Sequence, residues 1–167
     1  MAEAAPVQGR VLELGCGAGA YSRRLVAAGA ESVVAVDRSA AMLRAARAPG
    51  VEPLHADAAS LSLPERFGLV LSAGMLEFVP DPGAVLRVVR AHLTPGGRAV
   101  LLVPREGWLG ERYRAWHGSH GVSVRLFSRA SLAAAADGAG LRVERAREVA
   151  PFALVARLRA REVGCAS

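Results

Sequence analysis

Three glycines at alternate positions, Gly15, Gly17 and Gly19, follow an apolar run over residues 11–14, and a carboxylate, Glu13, stands two residues before the first of them. Glycine tolerates positive φ and, lacking a Cβ, lets the backbone come close to a ligand. The residues after Gly19 read as an amphipathic helix, whose first N–H groups have no partner within the helix and point back into the same turn. Gly15-Cys16-Gly17-Ala18-Gly19-Ala20 also satisfies the dinucleotide pattern G-x-G-x-x-G/A. About 20 residues further on, Asp37 ends a second apolar run, the spacing at which a carboxylate accepts from ribose hydroxyls. Together these residues point to a nucleoside-containing ligand held over one turn.

Positioning them takes a sheet. Arg10–Leu14 reads as a short strand, and the helix after Gly19 carries Tyr21, Leu25 and Ala28 on one face, with Gly29 closing it. The β-branched run 32–36 reads as a buried parallel strand. Ser39 is placed to cap a helix whose Met42, Leu43 and Ala46 point inward, and Pro49-Gly50 stops it. Val51–His55 and residues 67–72 supply a third and fourth strand. Asp81-Pro82 opens the next helix, with Val85, Leu86, Val88, Val89 and Leu93 as its buried stripe. Thr94-Pro95-Gly96-Gly97 then turns the chain into a fifth strand over residues 98–103. Residues 104–127 read as a less regular insertion holding both tryptophans. Ser128 begins an alanine-rich helix, and residues 141–147 and 152–158 read as two strands close enough to pair antiparallel. Strands alternating with helices require right-handed crossovers and a parallel sheet covered on both faces, so the expectation is one α/β domain over residues 1–167.

Four features in sequence order carry a resemblance: Glu13-x-Gly15-x-Gly17-x-Gly19, Asp37 at the end of the second strand, Asp57 after the third, and Leu93-Thr94-Pro95-Gly96-Gly97 before the fifth. The pattern, over roughly residues 10–160, resembles the class I S-adenosylmethionine-dependent methyltransferases, in particular the small-molecule, type 11-like members. The resemblance implies a Rossmann-like, doubly wound seven-stranded sheet in the order 3-2-1-4-5-7-6, with the last-formed strand antiparallel. It implies S-adenosyl-L-methionine as cofactor, with a nicotinamide cofactor as the weaker alternative that the glycine pattern also admits. Glu13 would lie beneath the turn near the methionine ammonium, and Gly15, Cys16, Gly17 and Gly19 would supply backbone. Tyr21 would approach from the first helix. Asp37 would grip the ribose, Arg38 would lie near the adenine, and Asp57 and the N–H of Ala58 would serve its exocyclic amine and ring nitrogen. Ser72, with Ala73 and Gly74, would line the methyl-transfer site.

Methyl transfer from a sulfonium is an in-line displacement at an already activated carbon, so the protein's main task is alignment and exclusion of water. A base is needed only when the acceptor arrives protonated. Glu77, Tyr113, His117 and His120 are the candidates. His117 and His120 would share a helix face if that segment is helical, but Gly118 and Gly121 favour a loop, and no acidic third ligand stands near enough to suggest a metal. The insertion, aromatic at Trp108, Tyr113 and Trp116 in an otherwise aromatic-poor chain, is expected to serve as a substrate lid.

The net charge of +6 rests entirely on arginine, since the chain contains no lysine, which excludes Schiff-base and P-loop lysine chemistry. The arginines are spread along the chain rather than gathered in a run, so the expected partner is a small-molecule acceptor rather than nucleic acid, with a homodimer as a further possibility. An RNA or DNA methyltransferase and a non-catalytic cofactor-binding module stay open as alternatives; neither an Asn-Pro-Pro-Tyr-type segment nor a Pro-Cys nucleophile occurs after the fourth strand. Cys16 and Cys165 cannot build a disulfide framework, no apolar run reaches membrane-span length, and residues 1–9 show no leader pattern, so a cytoplasmic location is expected.

Overall fold

In the computed structural model, which describes Ala4 and residues 6–161, the chain runs β1 (Arg10–Leu14), α1 (Ala20–Ala27), β2 (Ser32–Asp37), α2 (Ala40–Ala46), β3 (Val51–His55) and β4 (Phe67–Ala73). A 3-10 turn at Leu76–Phe78 precedes α3 (Pro82–His92), β5 (Leu93–Pro104), α4 (Trp108–Ser119), α5 (Arg129–Gly138), β6 (Leu141–Val149) and β7 (Ala153–Ala160). Cys165 lies outside the described residues. The strands form one seven-stranded sheet in the order β3-β2-β1-β4-β5-β7-β6, as the resemblance implied. Strands β1 to β5 pair in parallel, while β7 runs antiparallel to both β5 and β6. Among the described residues no helix is long and apolar enough to cross a membrane.

Period-two alternation sends the strand side chains to two separate cores. Leu12, Leu14, Val70, Leu101, Leu154 and Leu158 face α3 and α5, which contribute Val85, Leu86, Val89, Leu132 and Ala136. Val11, Val33, Ala35, Leu69, Leu71 and Val100 face the other way, packing with Leu25 of α1 and Leu43 and Ala46 of α2. The helix ends follow their sequence signals. Ser39 accepts from the N–H of Met42, Asp81 from that of Gly83 with Pro82 in the first turn, and Ser128 and Ser131 form a reciprocal capping box.

Three expectations need correcting. Met42 lies on the outer face of α2, 43% exposed, because the short helix turns only Leu43 and Ala46 to the sheet. Strand β5 already begins at Leu93: Phe67 pairs with Leu93 and Leu69 with Arg98, so Thr94–Gly97 bulges out opposite Gly68 rather than preceding the strand. The irregular insertion contains a regular helix, α4. Its glycines lower helix propensity, yet Gly110 is the residue by which α4 packs: a Cβ there would lie 2.0 Å from the Arg105 carbonyl oxygen.

The α3 stripe carries the larger core. Leu86→Ala is expected to cost about 2–5 kcal/mol in urea unfolding with the m-value unchanged. Trp116→Ala, at a position 60% exposed, should shift stability by less than about 0.5 kcal/mol.

Candidate active site

The sheet reverses its winding between β1 and β4, and in such a sheet the crevice at the carboxyl ends of the strands is where ligands bind. Register places the relevant residues at one level: Leu14 pairs with Val36 on one side and Ser72 on the other. Beyond Leu14 the chain is tied to β2 by three backbone donors. Gly15 and Cys16 N–H both donate to the Val36 carbonyl, at 2.8 and 3.0 Å, and Gly17 N–H donates to Asp37 Oδ2 at 2.9 Å. Asp37 Oδ1 accepts from Ser39 N–H at 2.8 Å. Each carboxylate oxygen thus spends one acceptor position on the backbone and keeps another.

The three glycines do different work. A Cβ on Gly15 would lie 2.4 Å from Met75 Cβ, and one on Gly19 would lie 2.9 Å from the Ala46 Cα, so both allow close packing. A Cβ on Gly17 would meet nothing within 4 Å. Gly17 is thus the glycine of the turn with no packing reason for its missing side chain, and it borders a cleft of about 290 Å³. Gly15, Gly17, Asp37, Arg38, Asp57 and Ala58 line it. On the opposite wall stand Gly74, Met75, Phe78 and Val79. Asp57 Oδ1 accepts from Ala59 N–H at 2.9 Å, and the Arg38 carbonyl oxygen is 2.9 Å from His55 Nε2.

The other expected cofactor contacts lie around the cleft rather than on its wall. Glu13 is buried beneath the turn on the α1 side, where its Oε2 accepts a short hydrogen bond from Ser22 Oγ. Burial raises its carboxyl to about 7 against the lowering effect of Ser22 and Arg23. Cys16 is buried in the α1-side core, and burial, then Glu13 and Asp37, push its thiol up to about 12, so it is a packed, unreactive thiol. Tyr21 lines a different cavity on the α1 face, with Leu71 and Leu102, and carries Arg24 against its ring at 5.8 Å. Ser72 is buried, and its hydroxyl has no hydrogen-bond partner among the described residues.

Of the four candidate bases, the structure gathers three. Glu77 is buried in the 3-10 turn, its Oε1 would stand 3.9 Å from a Cβ on Gly74, and its Oε2 has no hydrogen-bond partner among the described residues. Burial raises its carboxyl to about 7. Tyr113 feels that carboxylate: burial, then the charge of Glu77, raises the phenol. His117 lies one helical turn on, its ring centroid 4.5 Å from that of Tyr113 and 5.4 Å from that of Phe78, a cleft residue. His120 does not join them. It caps α4, with Nδ1 2.8 Å from the Trp116 carbonyl oxygen and its ring against Trp116. The segment is thus helical as far as Ser119, contrary to the loop expectation, with His117 in the last turn of α4 and His120 at its C-cap rather than on a shared face.

Phe78, Val79, Pro80 and Asp81 were not expected at the site. A signal existed: the stretch between the fourth strand and the Asp81 cap has to cross the carboxyl end of β4, beside β1.

With the turn, the acidic strand ends and the crevice in place, comparison with known proteins settles the family. Residues 1–146 match the family model described as a methyltransferase domain. The chain belongs to that family. An S-adenosylmethionine-dependent methyltransferase of Mesorhizobium loti superposes with a TM-score of 0.80 at 27% identity, covering 95% of this chain and 94% of that one. A ubiquinone biosynthesis O-methyltransferase of Stutzerimonas stutzeri is 34% identical over 97 residues, 53% of this chain and 41% of that protein. A trans-aconitate 2-methyltransferase of Azoarcus is 36% identical over 98 residues, 57% of this chain and 39% of that protein. The methyltransferase-domain chain thus spans about two fifths of the length of these curated relatives.

The two raised carboxyls make a pH prediction. A carboxyl whose folded value lies above its ordinary 4.5 adds stability below about pH 4.5 and loses it as pH rises through about 7. Urea unfolding is expected to show stability falling between about pH 5 and 8, with Glu77 contributing roughly 2–3 kcal/mol of that fall. In Glu77→Gln that share should vanish; an unchanged pH slope would place the Glu77 carboxyl in water.

Proposed function

We propose that this chain is an S-adenosylmethionine-dependent methyltransferase acting on a small-molecule acceptor. The observation that carries the reading is the convergence of Gly15, Gly17, Asp37, Arg38, Asp57 and Ala58, far apart in sequence, on one cleft at the point where the sheet reverses its winding. The family match and the Mesorhizobium structure support it, and the two curated relatives bear the names of small-molecule methyltransferases.

The cleft suits the cofactor by its donor set. Gly17 leaves room for a ligand against the backbone, and two carboxylates, Asp37 and Asp57, line the cleft beyond the ends of neighbouring strands. Asp37 binds the ribose hydroxyls through its remaining acceptor positions, a charge-assisted pair. Asp57 accepts from the adenine exocyclic amine, Ala58 N–H serves the ring nitrogen, and the Arg38 guanidinium lies along the base. Glu13, sealed under the turn with Ser22, supports the turn from below and places negative charge near a cationic ligand without touching it. The bound cofactor supplies an electrophilic methyl group. This chain's part is to hold that group in line with the acceptor and to keep water out.

Glu77 is the general base of the reading. Its carboxyl sits behind Gly74 at the edge of the cleft, is held near neutrality and has a free oxygen, the requirements for taking a proton from a hydroxyl or phenol at physiological pH. Tyr113, kept neutral, donates to the acceptor, and His117 buttresses Phe78 and Tyr113. His120 is assigned no catalytic part. Residues 104–127, with α4 at their centre, form the lid over the Glu77 side: Tyr113 and His117 face inward while Trp108 and Trp116 face out.

Calorimetry with S-adenosylmethionine and its demethylated product tests the cofactor half. Asp37→Ala should weaken binding about 10- to 100-fold with an unchanged circular dichroism spectrum. Gly17→Val should abolish it, since its side chain enters the cleft. Methyl transfer from labelled cofactor across a panel of phenols, hydroxy acids and RNA tests the rest. Glu77→Gln should lower kcat about 100-fold on hydroxyl acceptors while leaving cofactor affinity unchanged. Tight cofactor binding with no transfer to any acceptor would mark a binding module instead.

A further inference from the structure

The arginines that looked dispersed in the sequence are not dispersed in the fold. At the edge of the sheet opposite the cofactor cleft, a cavity of about 320 Å³ is lined by Arg66, Arg90, Arg142, Arg159 and Arg161 around the bulged loop Thr94–Gly97. These side chains come from the start of β4, from α3, from β6 and from the end of β7. Cross-strand register brings the strand members together: Arg142 pairs with Arg159, and Arg159 with Arg98, so three arginines stand in one row across β6, β7 and β5. The crowding is felt at Arg98, whose guanidinium is pushed below its ordinary value first by burial and then by the charges of Arg157 and Arg159.

Negative charge around this cavity falls short of the positive. Glu144 is shared by Arg142, Arg157 and Arg159, at 3.3, 3.2 and 2.9 Å, and Asp137 pairs with Arg161. Arg66 makes one long bond, 3.5 Å, to the Leu93 carbonyl, and Arg159 one of 3.3 Å to that of Gly96. Arg90, half-buried beside them, has neither carboxylate nor hydrogen-bond acceptor among the described residues. Five guanidinium forks meet in one concavity, with two carboxylates paired to them among the described residues. Guanidinium forks match the oxygens of phosphate in paired geometry, and a concave wall of one sign concentrates its counter-ion.

We propose that this arginine-lined cavity is a second binding site, separate from the methyl-transfer cleft, that takes a phosphate group bearing two or more negative charges or a run of phosphodiesters. The charged groups lining the cavity are all guanidinium donors, set among backbone carbonyls and Thr94, so it favours an oxyanion over a neutral sugar or base.

The test is calorimetric titration of the full chain with inorganic pyrophosphate at low ionic strength, alongside a single-stranded RNA oligonucleotide. Arg66→Gln with Arg90→Gln should weaken pyrophosphate binding at least about tenfold, the loss expected for charge-assisted contacts. Arg112→Gln with Arg114→Gln, which removes the same charge from exposed α4, should change it little. S-adenosylmethionine affinity should be unchanged in both. Because Arg66 is exposed, Arg66→Gln alone gives a folded variant in which a smaller loss is still expected. Pyrophosphate binding lost with the first pair, without measurable RNA binding, upholds the site for a small phosphorylated compound. RNA binding lost with the same pair upholds it for a nucleic-acid backbone. No binding of either probe, or equal loss in both double variants, overturns the proposal by reducing the effect to net charge.

Discussion

The backbone bonds from Gly15 and Cys16 to the Val36 carbonyl, with the bond from Gly17 to Asp37, hold the whole upper edge of this molecule in register. A chain leaving β1 would ordinarily diverge from β2 at once, because α1 has to cross to the face of the sheet. Here the first three residues after the strand stay tethered to the end of β2, and only then does the helix begin. The tether is possible because Gly15, Gly17 and Gly19 all adopt positive φ, at 74°, 53° and 78°, which a side chain would oppose. It has two consequences at once. Asp37 is pinned with its carboxylate at the mouth of the cleft, and the N-terminus of α1 is aimed across it. The same interaction builds the site and closes the β1–β2 junction, so a loss at one is a loss at both.

The fold was legible because its signals are local and repeated. Apolar runs of strand length alternate with amphipathic stripes, and Ser39, Asp81 and Ser128 each cap the helix that their sequence context assigns to them. The failures were of another kind. Met42 looked inward by its apolarity, but a seven-residue helix covers the sheet with a narrow stripe and leaves the next position in water. The glycines of 104–127 suggested irregular chain, while the i,i+4 pairs Tyr113–His117 and Trp116–His120 carried the opposite signal, and the ring contacts at 4.5 and 4.7 Å show which prevailed. Thr94–Gly97 was rightly seen as a turn but not as a bulge, since pairing on both sides of it depends on Phe67 and Leu69 across the sheet.

Part of the candidate site was equally legible. The glycine turn and the acidic strand ends are sequence motifs because backbone geometry dictates them. Whether a residue lines the cleft or supports it from behind is decided by face, and face depends on partners remote in sequence. Glu13 alternates to the same side as Val11, under α1, so its nearest partner is the Ser22 hydroxyl nine residues on rather than anything in the cleft. Glu77 shows the same dependence from the other direction. Its carboxyl is buried and its charge reaches Tyr113 on α4, a partner more than thirty residues on, and no spacing within residues 76–78 contains that information.

The distribution of charge follows from the same geometry. At the carboxyl ends of the strands stand Asp37, Asp57 and Asp81 around the cleft, with Glu13 and Glu77 buried just behind. At the opposite ends stand Arg66, Arg90, Arg142, Arg159 and Arg161. The net charge of +6 therefore says less than its placement: five arginines share one end of the sheet, while the cleft at the other sets Arg38 among three aspartates. Because β7 runs antiparallel to its neighbours, its C-terminal arginines fall at the same end as the N-termini of β4, β5 and β6. Reversal of a single strand thus gathers basic residues from distant parts of the chain at one end of the sheet, a consequence of topology rather than of composition.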